Sequence, residues 1–149
     1  MSHDVFANLS RKNEILAKLQ ELASQNRLDD HQVGLARILR TRQSYGLVHA
    51  VLEYAKKIER ASDILIAEAL NMLVARDLPV SIRASAANTL GHLIRHRPTR
   101  VNSDFDLDIV MESMTHVLHR SESSVLKRAL FRAIELARSR KSREDGKTQ

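Results

Sequence analysis

The chain contains no cysteine. That excludes disulfides, thiolate metal sites and a cysteine nucleophile, and it fits a reducing compartment. Tryptophan is absent too, and aromatics make up 3% of 149 residues, so any core is built from aliphatic side chains. Only two prolines and four glycines interrupt the chain. So few breakers among so many helix formers point to an all-α protein. Long hydrophobic runs are also missing. The most apolar stretch, Ile64 to Ala75, is short, carries Glu68 and Asn71, and cannot span a bilayer. The opening residues, MSHDVFANLSRKNE, lack a basic segment followed by an apolar one. No secretory signal and no membrane association are therefore expected, and the expected location is cytoplasmic.

Hydrophobic residues make up 43% and charged residues 28%, the balance of a globular chain. At this length one domain with a proper core is expected. The net charge is +6, which invites nucleic acid or an acidic protein as partner.

Apolar residues recur at three and four throughout, so the chain reads as six to seven helices. The first spans about Arg11 to Gln25, with Ser10 as cap and Glu14 near the capping-box position. The second, about His31 to Arg42, opens at Asp29 or Asp30. The third runs about Ser44 to Glu59 and is separated from the second by no strong breaker, so the two read equally well as one bent helix. The fourth, Ile64 to Arg76, is apolar on nearly every side and is expected in the middle of the fold. Pro79 stands where proline suits a helix start. The fifth helix follows, Val80 to Arg95, and stops before Pro98. The sixth, Asp104 to Leu118, has aspartates near its first turn and His119 with Arg120 at its end, both favourable to the helix dipole. The seventh covers about Val125 to Arg138. Residues 1–139 are expected to form the domain, and 140–149 a charged disordered tail.

Short connections make successive helices antiparallel neighbours. Two of the resulting hairpins repeat. Ile82-Arg83-Ala84-Ser85-Ala86-Ala87 aligns with Leu126-Lys127-Arg128-Ala129-Leu130-Phe131 at a spacing of 44 residues, each after an apolar helix. A two-helix period of roughly 40–47 residues is that of HEAT and armadillo arrays. The stretch DLPVSIRASAANTLGHL resembles the second helix of a HEAT repeat of the PBS-lyase-like type. Asp77, Pro79, Val80, Arg83, Ala86, Ala87, Leu90 and Gly91 carry the resemblance. In the later copy Val125, Lys127, Ala129 and Ile134 fit, while the proline and the Leu-Gly pair are missing. The resemblance implies a short right-handed α-solenoid of about three HEAT-like hairpins. It also implies that Asp77 and Arg83 tie repeats together through loop hydrogen bonds. Ala84, Ala86, Ala87 and Gly91 would permit close helix approach.

No constellation of catalytic residues emerges. Asp104, Asp106 and Asp108 alternate like a calcium loop, but the sixth and twelfth positions hold Ile109 and Thr115 instead of glycine and glutamate, so they read as helix-start acids. His92 with His96, and His116 with His119, have spacings that can share a metal, but no acid joins them. HEAT hydroxylases hold iron with adjacent His-Glu pairs, and no His-Glu dipeptide occurs here. Neither a phosphate loop nor a serine elbow is present. Neither enzymatic activity, a cofactor nor a metal is expected.

The remaining signal is polar and basic. In HEAT-like stacks the second helices line the concave face. There Ser85, Asn88, His92 and Arg95 of the fifth helix would lie beside Arg128, Phe131, Arg132 and Arg138 of the seventh. Arg97, Arg100, Arg140, Lys141 and Arg143 would crowd the same end. This groove is expected to dock a protein partner, with Tyr45, Tyr54 or Phe131 as anchors. The alternative is a nucleic-acid module gripping phosphates with its arginines. A short stack can also self-associate through its ends.

Overall fold

A computed structural model describes residues 5–7, 11–98 and 105–147, with side chains through Ser139. Among them are seven α-helices, one short 3-10 turn and no strand. The helices are α1 Lys12–Ser24, α2 Gln32–Thr41, α3 Tyr45–Ala55, α4 Asp63–Val74, α5 Val80–Arg95, α6 Leu107–Arg120 and α7 Ser124–Lys147. No helix of the described residues is long and apolar enough to cross a membrane.

The helices contact one another in two series. α1, α3, α5 and α7 pack in succession, and so do α2, α4 and α6. The pairs α2–α3, α4–α5 and α6–α7 join the two series. The α5–α7 interface is the most extensive.

Small side chains on α5 explain that interface. Ala84, Ala86, Ala87 and Gly91 are all buried. A Cβ built on Gly91 would stand 2.7 Å from the Cα of Ala133, so the two backbones nearly touch. α5, rather than α4, is therefore the helix enclosed on almost every side. α4 buries Leu65, Ile66, Ala69, Met72 and Leu73 but leaves Ile64 and Val74 exposed. The apolar girth of α4 exceeds the neighbours available to cover it. The slender α5 is surrounded because it lets its neighbours come close.

Polar groups at the helix ends tie the helices to one another. The backbone N–H groups of Glu59 and Arg60 donate to the Asp29 carboxylate, at 3.2 and 2.8 Å. Gln32 donates to the Arg60 carbonyl at 2.8 Å and accepts from the Ser62 N–H at 2.7 Å. Asp29 thus serves the turn before α4 rather than capping α2. The Arg83 guanidinium donates to the Leu73 carbonyl at 2.8 Å, binding α5 to the end of α4. Asp77 pairs with Arg42 at 3.1 Å, reaching from the α4–α5 turn to the end of α2.

α2 and α3 are two helices, not one. Arg42 ends α2 in the left-handed region, φ 50°, where glycine is usual. Ser44 then caps α3 by accepting from the Leu47 N–H. A 3-10 turn, Leu28–His31, precedes α2. Arg11, not Ser10, occupies the N-cap of α1, and Ser10 lies outside the described residues. α7 continues to Lys147, through the stretch expected to be a tail. Arginine, lysine and glutamate are sound helix formers.

Candidate interaction surface

α3, α5 and α7 lie side by side. Two hydrogen bonds fix α3 against α5. The Thr89 hydroxyl donates to the Leu52 carbonyl at 2.7 Å, and the Ser85 hydroxyl donates to the Glu53 carboxylate at 3.2 Å. The Gly91–Ala133 contact sets α7 on the other side of α5.

Ser85, Asn88, His92 and Arg95 belong to α5, and Arg128, Phe131, Arg132 and Arg138 to α7. Ser85 is buried and engaged with Glu53. Asn88, His92 and Arg95 are half-buried, so the α5 stripe is recessed. On α7, Arg128, Phe131, Arg132 and Arg138 are exposed, Phe131 to 60%. Arg128, Phe131 and Arg132 are spaced three and four apart, and Arg138 lies seven beyond Phe131, all on the exposed side of α7. α5 and α7 pack against each other, and Ser85 serves as a tie between α5 and α3.

Three residues on α3 and at its C-terminal end were not anticipated. His49, Glu53 and Lys56 recur at four and three on the side of α3 that meets α5. Lys56 donates to Glu53 at 2.9 Å, and His49 lies 4.0 Å from it. Burial alone would raise the Glu53 carboxyl. The hydrogen bond and charge of Lys56, the Ser85 hydroxyl and His49 outweigh it and hold the group below its usual 4.5. His92 is lowered from 6.5, first by burial and then by the positive charge of Lys56, His96 and Arg95. It is therefore neutral near pH 7 and offers one donor and one acceptor.

Arg97 does not belong to this basic cluster. It is buried, its Nε donates to Asp63 at 2.7 Å, and its guanidinium lies over the Phe105 ring, 4.9 Å from the centroid. It fastens the end of α5 to the start of α4. Arg100 and the side chains of Arg140, Lys141 and Arg143 lie outside the described residues. Of the proposed aromatic anchors, Tyr45 is 51% exposed, whereas Tyr54 is half-buried beneath Lys57.

Asp106 caps α6, accepting from the N–H groups of Asp108 and Ile109 at 3.0 and 3.4 Å. That is the helix-start role expected of it; Asp104 lies outside the described residues. Among the described residues no three histidine or acidic side chains converge at metal-binding distance. Two clefts flank α6, and Arg138 lines one of them with Met111, Thr115 and His119, which nothing in helical periodicity signals.

The chain matches no protein-family model, no curated protein and no solved structure.

Proposed function

We propose that the chain is a short right-handed α-solenoid of about three HEAT-like hairpins, acting as a non-enzymatic interaction module in the cytoplasm. Its protein partner docks along the face formed by α3, α5 and α7. The two series of helix contacts support the stack, with α1 as an added helix at one end of the odd series.

Phe131 carries the docking reading. Burying a phenylalanine is worth about 1.5–3 kcal/mol, and at this position the fold forgoes most of that. Arg128 and Arg132 flank it on the exposed side of α7, and Arg138 lies two turns further along. An exposed aromatic group with flanking arginines has the composition of an interface hot spot.

Nucleic acid is the second reading, favoured by the same exposed guanidinium groups. Glu53 and Glu135 interrupt the positive face, and a single exposed aromatic on α7 offers little base stacking. Both features favour protein. The test is parallel capture from cell extract by the wild-type chain and by Phe131→Ser with Arg132→Glu, beside binding of labelled nucleic acid titrated in salt. Partners retained by the wild type and lost from the variant support protein docking. Nucleic-acid binding that weakens steeply with salt supports the alternative.

A further inference from the structure

A second surface lies away from α3. A cleft of about 910 Å³ opens between α6 and the turn joining α4 to α5. Its α6 wall is a continuous stripe, Ile109, Glu112, Ser113, His116, Val117 and Arg120, recurring at three and four along the helix. The opposite wall brings Val74 from the end of α4 and Val80 from the start of α5, and Leu126 of α7 closes one end. Ile109, Val74 and Val80 remain 57%, 42% and 41% exposed. They are three of the large apolar side chains the fold leaves in water, gathered on one cleft.

A stripe at this spacing is a ridge against which a second helix packs. α6 itself is lightly held, with only Val110 and Met114 buried. Charge gives the groove a direction. Arg76, Arg83 and Arg120 line it, against Glu112 and Glu122. Arg83 is already bonded to Leu73 through Nε, while Arg76 and Arg120 make no ion pair among the described residues.

We propose that this cleft takes an amphipathic helix of a partner protein, its apolar ridge on Val74, Val80, Ile109 and Val117 and its acidic end at Arg76 and Arg120. Helix-in-groove docking fits the stripe, and the guanidinium groups select acid over base. This site is separate from the α3–α5–α7 face and does not depend on it.

The test uses two synthetic helical peptides sharing a leucine stripe, one ending in glutamates and one in lysines, titrated into the full chain labelled for amide NMR. The glutamate peptide is expected to bind and to shift the amides of Val74, Val80, Ile109 and Val117. Arg76→Glu with Arg120→Glu is expected to weaken binding about tenfold or more, as loss of charge-assisted contacts does. Ile109→Ser, at an exposed position, is expected to weaken it with the fold intact. No binding of the glutamate peptide at millimolar concentration overturns the proposal. So do equal binding of the lysine peptide, indifference to the arginine changes, or shifts confined to α3, residues 85–95 and residues 128–138.

Discussion

Gly91 of α5 faces Ala133 of α7 with no room for a methyl group between them. A Cβ on Gly91 would lie 2.7 Å from the Ala133 Cα and 3.0 Å from its carbonyl oxygen. Those atoms are backbone and cannot turn aside. Gly91→Ala gains helix propensity of about 1 kcal/mol but forces α7 outward. Overpacking of this kind costs about 1–3 kcal/mol. A net loss of stability is expected in urea unfolding, with a larger loss for Gly91→Val.

The Asp63–Arg97 pair tests whether buried polarity holds the α4 start to the α5 end. The Arg97 side chain is nearly enclosed, and Asp63 is about a fifth exposed. Removing one partner strands the other, which in full burial costs about 3–5 kcal/mol. Partial exposure of Asp63 lowers the expectation for Asp63→Ala to about 2–3 kcal/mol. The double change Asp63→Leu with Arg97→Met is expected to lose less than Asp63→Ala alone, measured by thermal unfolding.

Arg42 sits in the left-handed region with φ 50°, where a side chain is strained. Arg42→Gly relieves about 1 kcal/mol of that strain. It also deletes the exposed ion pair with Asp77, worth about 0–1 kcal/mol. Stability is expected to stay level or rise slightly. Arg42→Val, β-branched, is expected to lower it clearly. Paired melting curves of the two variants provide the check.

His92 makes stability depend on pH. Its folded-state pKa is lowered from 6.5. The unfolded chain therefore takes up a proton before the fold does, and acid favours unfolding. Its contribution is fully present above 6.5 and is lost as pH falls through the lower folded value. Glu53, also lowered, acts the same way below about 4.5. Between pH 7 and 5.5 the wild type is expected to lose more melting temperature than His92→Gln. Glu53→Gln is expected to differ from the wild type only at lower pH.

Much of the fold follows from local pattern. Pro79 and the run after it mark the start of α5, and the helix found, Val80–Arg95, has the bounds expected. The small residues of that run also foretell its close packing, because only side-chain size decides how near two backbones come. What pattern cannot supply is the identity of the neighbour covering each face. α4 reads as central because it is apolar all round, yet α5 takes that place. Arg97 reads as one more surface cation because its partner, Asp63, stands 34 residues earlier. The break at Arg42 carries no glycine to announce it. On the candidate face, the α5 and α7 stripes are readable from their spacing. His49, Glu53 and Lys56 become part of it only once α3 is laid against α5.

Docking on the α3–α5–α7 face can be measured at Phe131 itself. A photoreactive benzoyl-phenylalanine at position 131 would be irradiated in cell extract, with the same group at exposed Gln20 of α1 as control. Discrete protein adducts that survive nuclease and are missing from the Gln20 control are the expected result. Adducts that nuclease removes, or no adduct beyond the control, would contradict the assignment of this face to a protein partner.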